Sequence, residues 1–472
     1  MRATLGARGI QPSRSGDIHL SLRNEGFYTD MAVGKRVNAD WAALVLGLGL
    51  GLTVAAYVET TTSYDWQSVY AIVTSISRIC AMVGSYLALV GLVLVSRISW
   101  VEKSVGHDRL VIWHRKLGPW SLYLITFHVL FVILGYAGND RLKLGVELWH
   151  LIRNFPWMLP GLLAFIFFAA AGISSYKKAR AKMSYETWWT IHLYTYMAIA
   201  LSFMHQVLNG PIFVGHPINK LYWEFLYIAA GLTIVLWRLV IPTVRSLRHN
   251  LRVEQVVVEG PGVVSIVMRG RNLDKLGARG GQFFGWRFMT SGQWWISHPY
   301  SLSAAPTEHY MRVTVKELGD ASRSVKRNKP GTRVFFEGPY GTFVAERASR
   351  GHVVLVGGGV GITPLRALLE EFPAVKEIDV LFRATKDEDL VLRNELDEIA
   401  AARGARVHYL VGSRQVHPMT AKYIMKFVPA FRDSDVYVCG PTPLVEAVRQ
   451  AALDCGIPKN RFHDEAFEFH NV

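Results

Sequence analysis

The chain has 472 residues, half of them hydrophobic, with a formal net charge of +15 and three cysteines. The length allows about three domains. The positive charges cluster beside long apolar runs in the first half, which points to lipid and membrane orientation and carries no nucleic-acid signature; with Cys80 inside such a run and only Cys439 and Cys455 elsewhere, a disulfide framework is excluded and a reducing cytoplasm suits the soluble part.

Residues 1–38 hold many Arg, Ser and Gly residues and no apolar core of signal-peptide type, so they are expected to form a disordered cytoplasmic tail, with Met31 as a second candidate start. Six transmembrane helices are expected within 39–247, at 39–58, 69–95, 111–136, 157–174, 186–208 and 222–242. The basic residues between them, such as Lys35, Arg36, Arg97, Lys116, Lys177, Lys178, Arg245 and Arg248, all fall on one side. The positive-inside rule makes that side cytoplasmic, and an even number of spans puts both termini and the soluble half there, in a multi-pass protein of the cell membrane.

Two of these runs carry paired histidines, His114 with His128 and His192 with His205, fourteen and thirteen positions apart. At ~1.5 Å per residue each pair spans about 20 Å, so its members lie at two depths of a hydrocarbon layer about 30 Å thick. Any one of them alone reads as a histidine hydrogen-bonded to a neighbouring helix. The set, at matched spacing, reads as two haem sites, because ionisable groups inside a membrane are costly and an imidazole pair can grip a haem iron from both sides. The two helices run in the same direction, so His114 pairs with His192 near the cytoplasmic leaflet and His128 with His205 near the outer one. One feature opposes this: at ~100° per residue, fourteen positions bring two side chains within about 40°, while thirteen leave them about 140° apart. Arg78, on an antiparallel helix, falls near the depth of His128, where a haem propionate or a polar contact within the bundle is its partner.

After Arg248 short alternating runs such as 252–258, 263–268 and 311–315, set between Gly and Pro, predict a small antiparallel β-barrel over 248–347. His298, Pro299, Tyr300 and Ser301 could cover and hydrogen-bond a flavin, with His298 and Lys316 facing its pyrophosphate and Gly319 and Ser322 in the KELGDAS segment close to phosphate; an ordinary barrel strand is the plainer reading. Over 348–472, strands and helices alternate as in a doubly wound parallel sheet. The turn holding Gly357, Gly358, Gly359, Gly361, Thr363 and Pro364 offers backbone amides to a dinucleotide phosphate, or is simply a tight turn. Arg383, Ser413 and Arg414 follow strand ends, where arginines favour the extra phosphate of NADPH over NADH, with a plain surface role as the alternative.

Taken together, the paired histidines, HPYS, GGGVGITP, YVCGP and the closing FHDEAFEF resemble the NADPH oxidase and ferric reductase superfamily over nearly the whole chain beyond the tail. The resemblance implies a six-helix haem domain joined to a ferredoxin-NADP reductase-like FAD barrel and NADPH domain. It implies that the four histidines ligate two b-type haems, that His298–Ser301 and Gly319–Ser322 bind FAD, and that Gly357–Pro364 cradle NADPH. Cys439, Gly440 and Pro441 would border the nicotinamide and Phe467 would cover the flavin, although Phe469 competes for that role. His298 stands where soluble reductases carry Arg.

The expected activity is electron transfer from cytoplasmic NADPH, through FAD and two haems, to an outer acceptor: oxygen or a ferric chelate equally, with an extracytoplasmic protein or quinone behind them. The outer loops show no metal-binding cluster in sequence, and His150 and His216 read as isolated and solvated. Two rivals remain open, a flavoreductase on a haem-free membrane anchor and a redox-sensing binding protein. Oligomeric state is left open.

Overall fold

The computed structural model describes residues 25–183, 185–291 and 294–467. Its first half is helical: α1 (Glu25–Thr60), α2 (Val69–Leu94), α3 (Ser99–Val105), α4 (His107–Asp140), α5 (Leu144–Asn154), α6 (Met158–Ser175), α7 (Lys177–Arg180), α8 (Tyr185–Asn209), α9 (Pro217–Ile234) and α10 (Ile241–His249), the last two joined by the π-helical Val235–Val240. Among the described residues, five segments are long and apolar enough to cross a membrane: Asp40–Thr60, Val69–Leu94, Arg109–Asp140, Met158–Ser175 and Pro217–His249. The segment expected at 186–208 is the 25-residue helix α8, but it is not one of the five. Thr190, His192, Thr195, Gln206 and Asn209 dilute its apolar content.

The expected disordered tail is corrected in part, since α1 already starts at Glu25; residues 1–24 lie outside the described residues. Once a long span supplies the nucleus, each added helical residue carries only the cost of propagation, and no Pro interrupts 25–38.

α4 packs along α2 and α8 along α6, giving two helix pairs with the four histidines between them. Close approach requires small residues: a Cβ at Gly161 of α6 would lie 2.9 Å from His205 Cγ.

The next residues form β1 (Arg252–Gly260), β2 (Val263–Arg269), β3 (Phe283–Phe288), β4 (His298–Ser301), β5 (Tyr310–Lys316), α11 (Asp320–Val325) and β6 (Val334–Tyr340). Where a single barrel was expected, the strands make two three-stranded antiparallel sheets, β1-β2-β5 and β4-β3-β6, joined by the bridges Arg252↔Arg333 and Leu302↔Val313. Alternation along the strands sends Ile266, Met268, Phe284, Trp286 and Phe288 into a common core at 0% exposure. Each such burial stabilises by about 1.5–3 kcal/mol.

The last part contains β7 (His352–Gly358), α12 (Ile362–Glu371), β8 (Glu377–Ala384), α13 (Arg393–Arg403), β9 (Arg406–Val411), α14 (Ala421–Phe427), β10 (Asp435–Pro441), α15 (Thr442–Asp454) and β11 (Phe462–Phe467). All four pairings in the sheet β11-β10-β7-β8-β9 are parallel. Leu365 of α12 and Leu396 of α13 pack on one face, while Ile424 of α14 and Val448 of α15 pack on the other. Strand order reverses between β7 and β10, and crevices at such reversals are where open α/β sheets bind ligands.

The two halves are joined at α10 and β6. Ser246 Oγ accepts from the Phe336 amide at 3.0 Å, and Arg238 Nη1 meets Glu337 Oε2 at 2.9 Å, with Arg287 on its other oxygen at 2.5 Å.

Candidate functional site

Within the helical region one predicted histidine pair, His114 with His192, comes together. The His114 and His192 rings face each other with centroids 6.0 Å apart and planes at 81°. Two metal–imidazole bonds of about 2.0–2.1 Å plus the half-widths of two rings add up to about 6 Å, so this pair fits an iron held between them. His128 and His205 line one cavity of about 1520 Å³, counting the part open to the surroundings.

Orientation of the rings follows from their second nitrogens. His114 Nδ1 donates to the Gly91 carbonyl at 3.0 Å and His128 Nδ1 to the Ser77 carbonyl at 3.1 Å, which leaves Nε2 with its lone pair free, as metal-ligating histidines require. His192 and His205 have longer polar neighbours, Ser175 Oγ and Asn209 Nδ2, each at 3.4 Å. Arg78 lines the cavity with His128 and His205, and its guanidinium also reaches Asp65 at 3.1 Å and Tyr136 at 3.4 Å.

In the first β domain, His298 and Tyr300 stack at 5.7 Å with planes 3° apart. His298 is buried and its Nε2 lacks a hydrogen-bond partner among the described residues. Burial lowers its pKa to about 4, so the ring is neutral at pH 7 and can still donate one N–H to a ligand oxygen. Burial also raises the Tyr300 phenol far above its ordinary value. An unpartnered buried polar atom beside a stacked aromatic fits a flavin and its phosphates. Ser322 Oγ accepts from the Leu318 and Gly319 amides at 2.8 and 3.0 Å, fixing that turn, while Lys316 lies 3.9 Å from Asp389. At Gly319 nothing crowds a side chain, so close packing does not demand the glycine.

The nucleotide turn is different. A Cβ at Gly361 would lie 2.3 Å from the Cys439 carbonyl oxygen, and one at Gly358 2.5 Å from Leu444. The GGGVG turn and the CGP segment are thus pressed together at the strand-order reversal, with Thr363 and Pro364 opening α12 just beyond. Arg383 is buried and donates to the carbonyls of Ala384, Leu410 and Gly412 at 2.8, 3.2 and 2.7 Å. Burial, and the charge of Arg414 with it, lowers the Arg383 pKa, while the exposed Ser413 and Arg414 follow the end of β9.

One group was missed by sequence reasoning. Glu465, within the FHDEAFEF segment, pairs in register with Cys439 across β10 and β11 and brings Oε2 within 3.5 Å of Ser301 Oγ in the other domain. Burial, and then the charges of Glu465 and Asp464, push the Cys439 thiol well up, so it is a neutral thiol at pH 7. A cross-strand and cross-domain meeting leaves no local sequence signal; the nearness of an acid to the terminal aromatic was the only hint. Phe467 ends β11 opposite Pro441. Its backbone alone is described, and Phe469 lies outside the described residues.

Comparisons with known proteins find relatives of three segments of the chain. The family described as ferric reductase like transmembrane component matches residues 80–203, the FAD-binding domain matches 248–344, and the oxidoreductase NAD-binding domain matches 355–450. Flavohemoprotein A of Dictyostelium discoideum is 29% identical over 184 residues, covering 36% of this chain and 46% of that protein. Ferredoxin–NADP reductase B of Sorangium cellulosum is 29% identical over 194 residues, covering 37% of this chain and 79% of that protein. The FAD/NAD-binding domain of a nitric oxide dioxygenase from Vibrio cholerae aligns with a TM-score of 0.39 at 23% identity, over 47% of this chain and 99% of that one. The chain spans only 46% and 64% of the first two curated relatives it matches.

The matches place a ferric reductase like transmembrane component first, an FAD-binding domain second and an oxidoreductase NAD-binding domain third. In that order, the matched segments give the chain the NADPH oxidase and ferric reductase architecture.

Proposed function

We propose that the protein passes electrons across a cell membrane, from cytoplasmic NADPH through FAD and two b-type haems to oxygen or a ferric chelate on the outer face. The observation that carries this reading is the approach of His114 and His192 at 6.0 Å, with His128 and His205 lining one cavity farther along the same helices. When bound, the nicotinamide supplies a hydride, the flavin divides it into single electrons, and each haem iron accepts one. The chain does the rest. Gly91 and Ser77 hold two of the ring planes, Arg78 offers a cation to a propionate, and His298, Tyr300 and Ser301 position a flavin at the edge that Cys439, Glu465 and Phe467 approach. Arg383, Ser413 and Arg414 offer two cations and a hydroxyl to the NADPH 2′-phosphate. The basic loops support the cytoplasmic placement of the soluble half, and a sixth span at α8 completes that topology.

Inside-out membrane vesicles test the proposal: NADPH is added outside and an impermeant ferric chelate or a superoxide probe is trapped within. Reduction of the trapped probe is expected. Reduction only of acceptors on the NADPH side would point instead to a flavoreductase on a haem-free anchor.

A further inference from the structure

The short helix α5 has one residue that its environment does not explain. Leu151, four positions after Glu147, faces the interior, and Leu148 and Leu151 line the cavity that holds His128 and His205. Glu147 shares the buried side: its side chain is 0% exposed, and neither carboxylate oxygen has a hydrogen-bond partner among the described residues. His150 Nδ1 lies 3.6 Å from Glu147 Oε1, one helical turn along. Asp140, at the end of α4, completes a cluster in which one ligand atom from each residue lies within 4.8 Å of the others. His150 is therefore not isolated as read from the sequence, although it is exposed as that reading expected. Arg141, with φ of 56°, reverses the chain after α4 and returns α5 to its end, a turn that spacing alone does not reveal.

A buried carboxylate with no partner costs several kcal/mol, so a fold that keeps one is built around a compensating charge. His150 faces one oxygen only, which leaves the other unanswered. Two carboxylates and an imidazole with ligand atoms within 4.8 Å of one another offer an O₂N donor set. The imidazole disfavours calcium and magnesium, the lack of thiolate disfavours copper(I), and the set suits manganese, iron or zinc in the divalent state.

We propose that Asp140, Glu147 and His150 bind one divalent first-row transition-metal cation beside the cavity of the outer histidine pair. Its placement on the outer face rests on the topology proposed above; the ligand set itself does not. There it gathers metal against the wall of the chamber from which electrons leave, which ties the acceptor question to metal ions of the iron class.

The test uses the full-length protein, purified, stripped with chelator and kept without NADPH, titrated with Mn²⁺ alone and followed by loss of the free-ion EPR signal. One saturable Mn²⁺ per chain is expected, weakened roughly tenfold or more in E147Q, D140N and H150A. Asp140 and His150 are exposed, so D140N and H150A keep the test decisive even if E147Q fails to fold. Absence of saturable binding, or wild-type affinity in both D140N and H150A, overturns the proposal. Resting-state binding needs no electron transfer, so this outcome is independent of haem content and of vesicle reduction, on which the proposed function stands or falls.

Discussion

The two halves of the molecule treat apolar side chains in opposite ways. In the helical half Trp41, Val45 and Leu48 stand 59%, 62% and 58% exposed, whereas in the soluble half Trp286, Val356 and Phe382 are at 0%. The first faces a hydrocarbon solvent and the second faces water, so burial marks the core in one and says little in the other. Polar chemistry inverts accordingly. Between the helices an ionisable group is an anomaly that announces a site, while in the soluble half the site depends on the glycines that let backbones touch.

The largest effect is expected in the membrane half. H128A or H205A should abolish reduction of an acceptor across the membrane while leaving NADPH-driven reduction of a soluble dye within about twofold, a separation that dye and vesicle assays read side by side. Normal reduction of an impermeant acceptor by either variant would erase the proposed division of labour. The soluble counterpart is G361A, whose methyl group would collide with the Cys439 carbonyl oxygen at 2.3 Å. It should destabilise by about 1–3 kcal/mol and raise KM for NADPH severalfold or more, checked by thermal unfolding and kinetics. A smaller, selective change is expected from R414A: about a tenfold rise in KM for NADPH with little change for NADH. Equal effects on both nucleotides would remove Arg414 from the phosphate site.

The smallest effect concerns pH. His298 and His463 are both held near a pKa of about 4, against an ordinary 6.5, by burial. Between those values the unfolded chain binds more protons than the folded one, so their contribution to stability is full above about pH 6.5 and is lost as pH falls toward 4. FAD-free protein should therefore lose thermal stability over that window, and H298N should remove about half of the loss due to this pair. An unchanged slope in H298N would mean that its ring is hydrated and charged in the folded state.

How much of this was legible follows from the same contrast. His114 and His192 could be paired from depth alone, because two parallel spans leave little choice of partner. The glycine turn after β7 was visible because a buried apolar strand running into GGGVG has few other uses. What stayed hidden needed a third dimension. Glu465 reaches Ser301 across a domain boundary, Arg238 and Arg287 converge on Glu337 from different elements, and Asp140 meets Glu147 only through the reversal at Arg141. The start of α1 at Glu25 was missed because Arg-, Ser- and Gly-rich composition is a weak guide when a span can extend its own helix. The composition of α8 was judged generously, since its polar residues, of which Ser202, His205, Gln206 and Asn209 line the chamber, lower the apolar count of a helix that carries two of the four histidines.

The most direct test of the central claim is to quantify haem in the purified, flavin-loaded protein and record its absorption before and after NADPH under anaerobic conditions. The account predicts two b-type haems per chain, both reduced by NADPH without an added partner protein, and one each in H205A and H192A. Fewer than two haems in the unaltered chain, or haem that NADPH leaves oxidised, would contradict it.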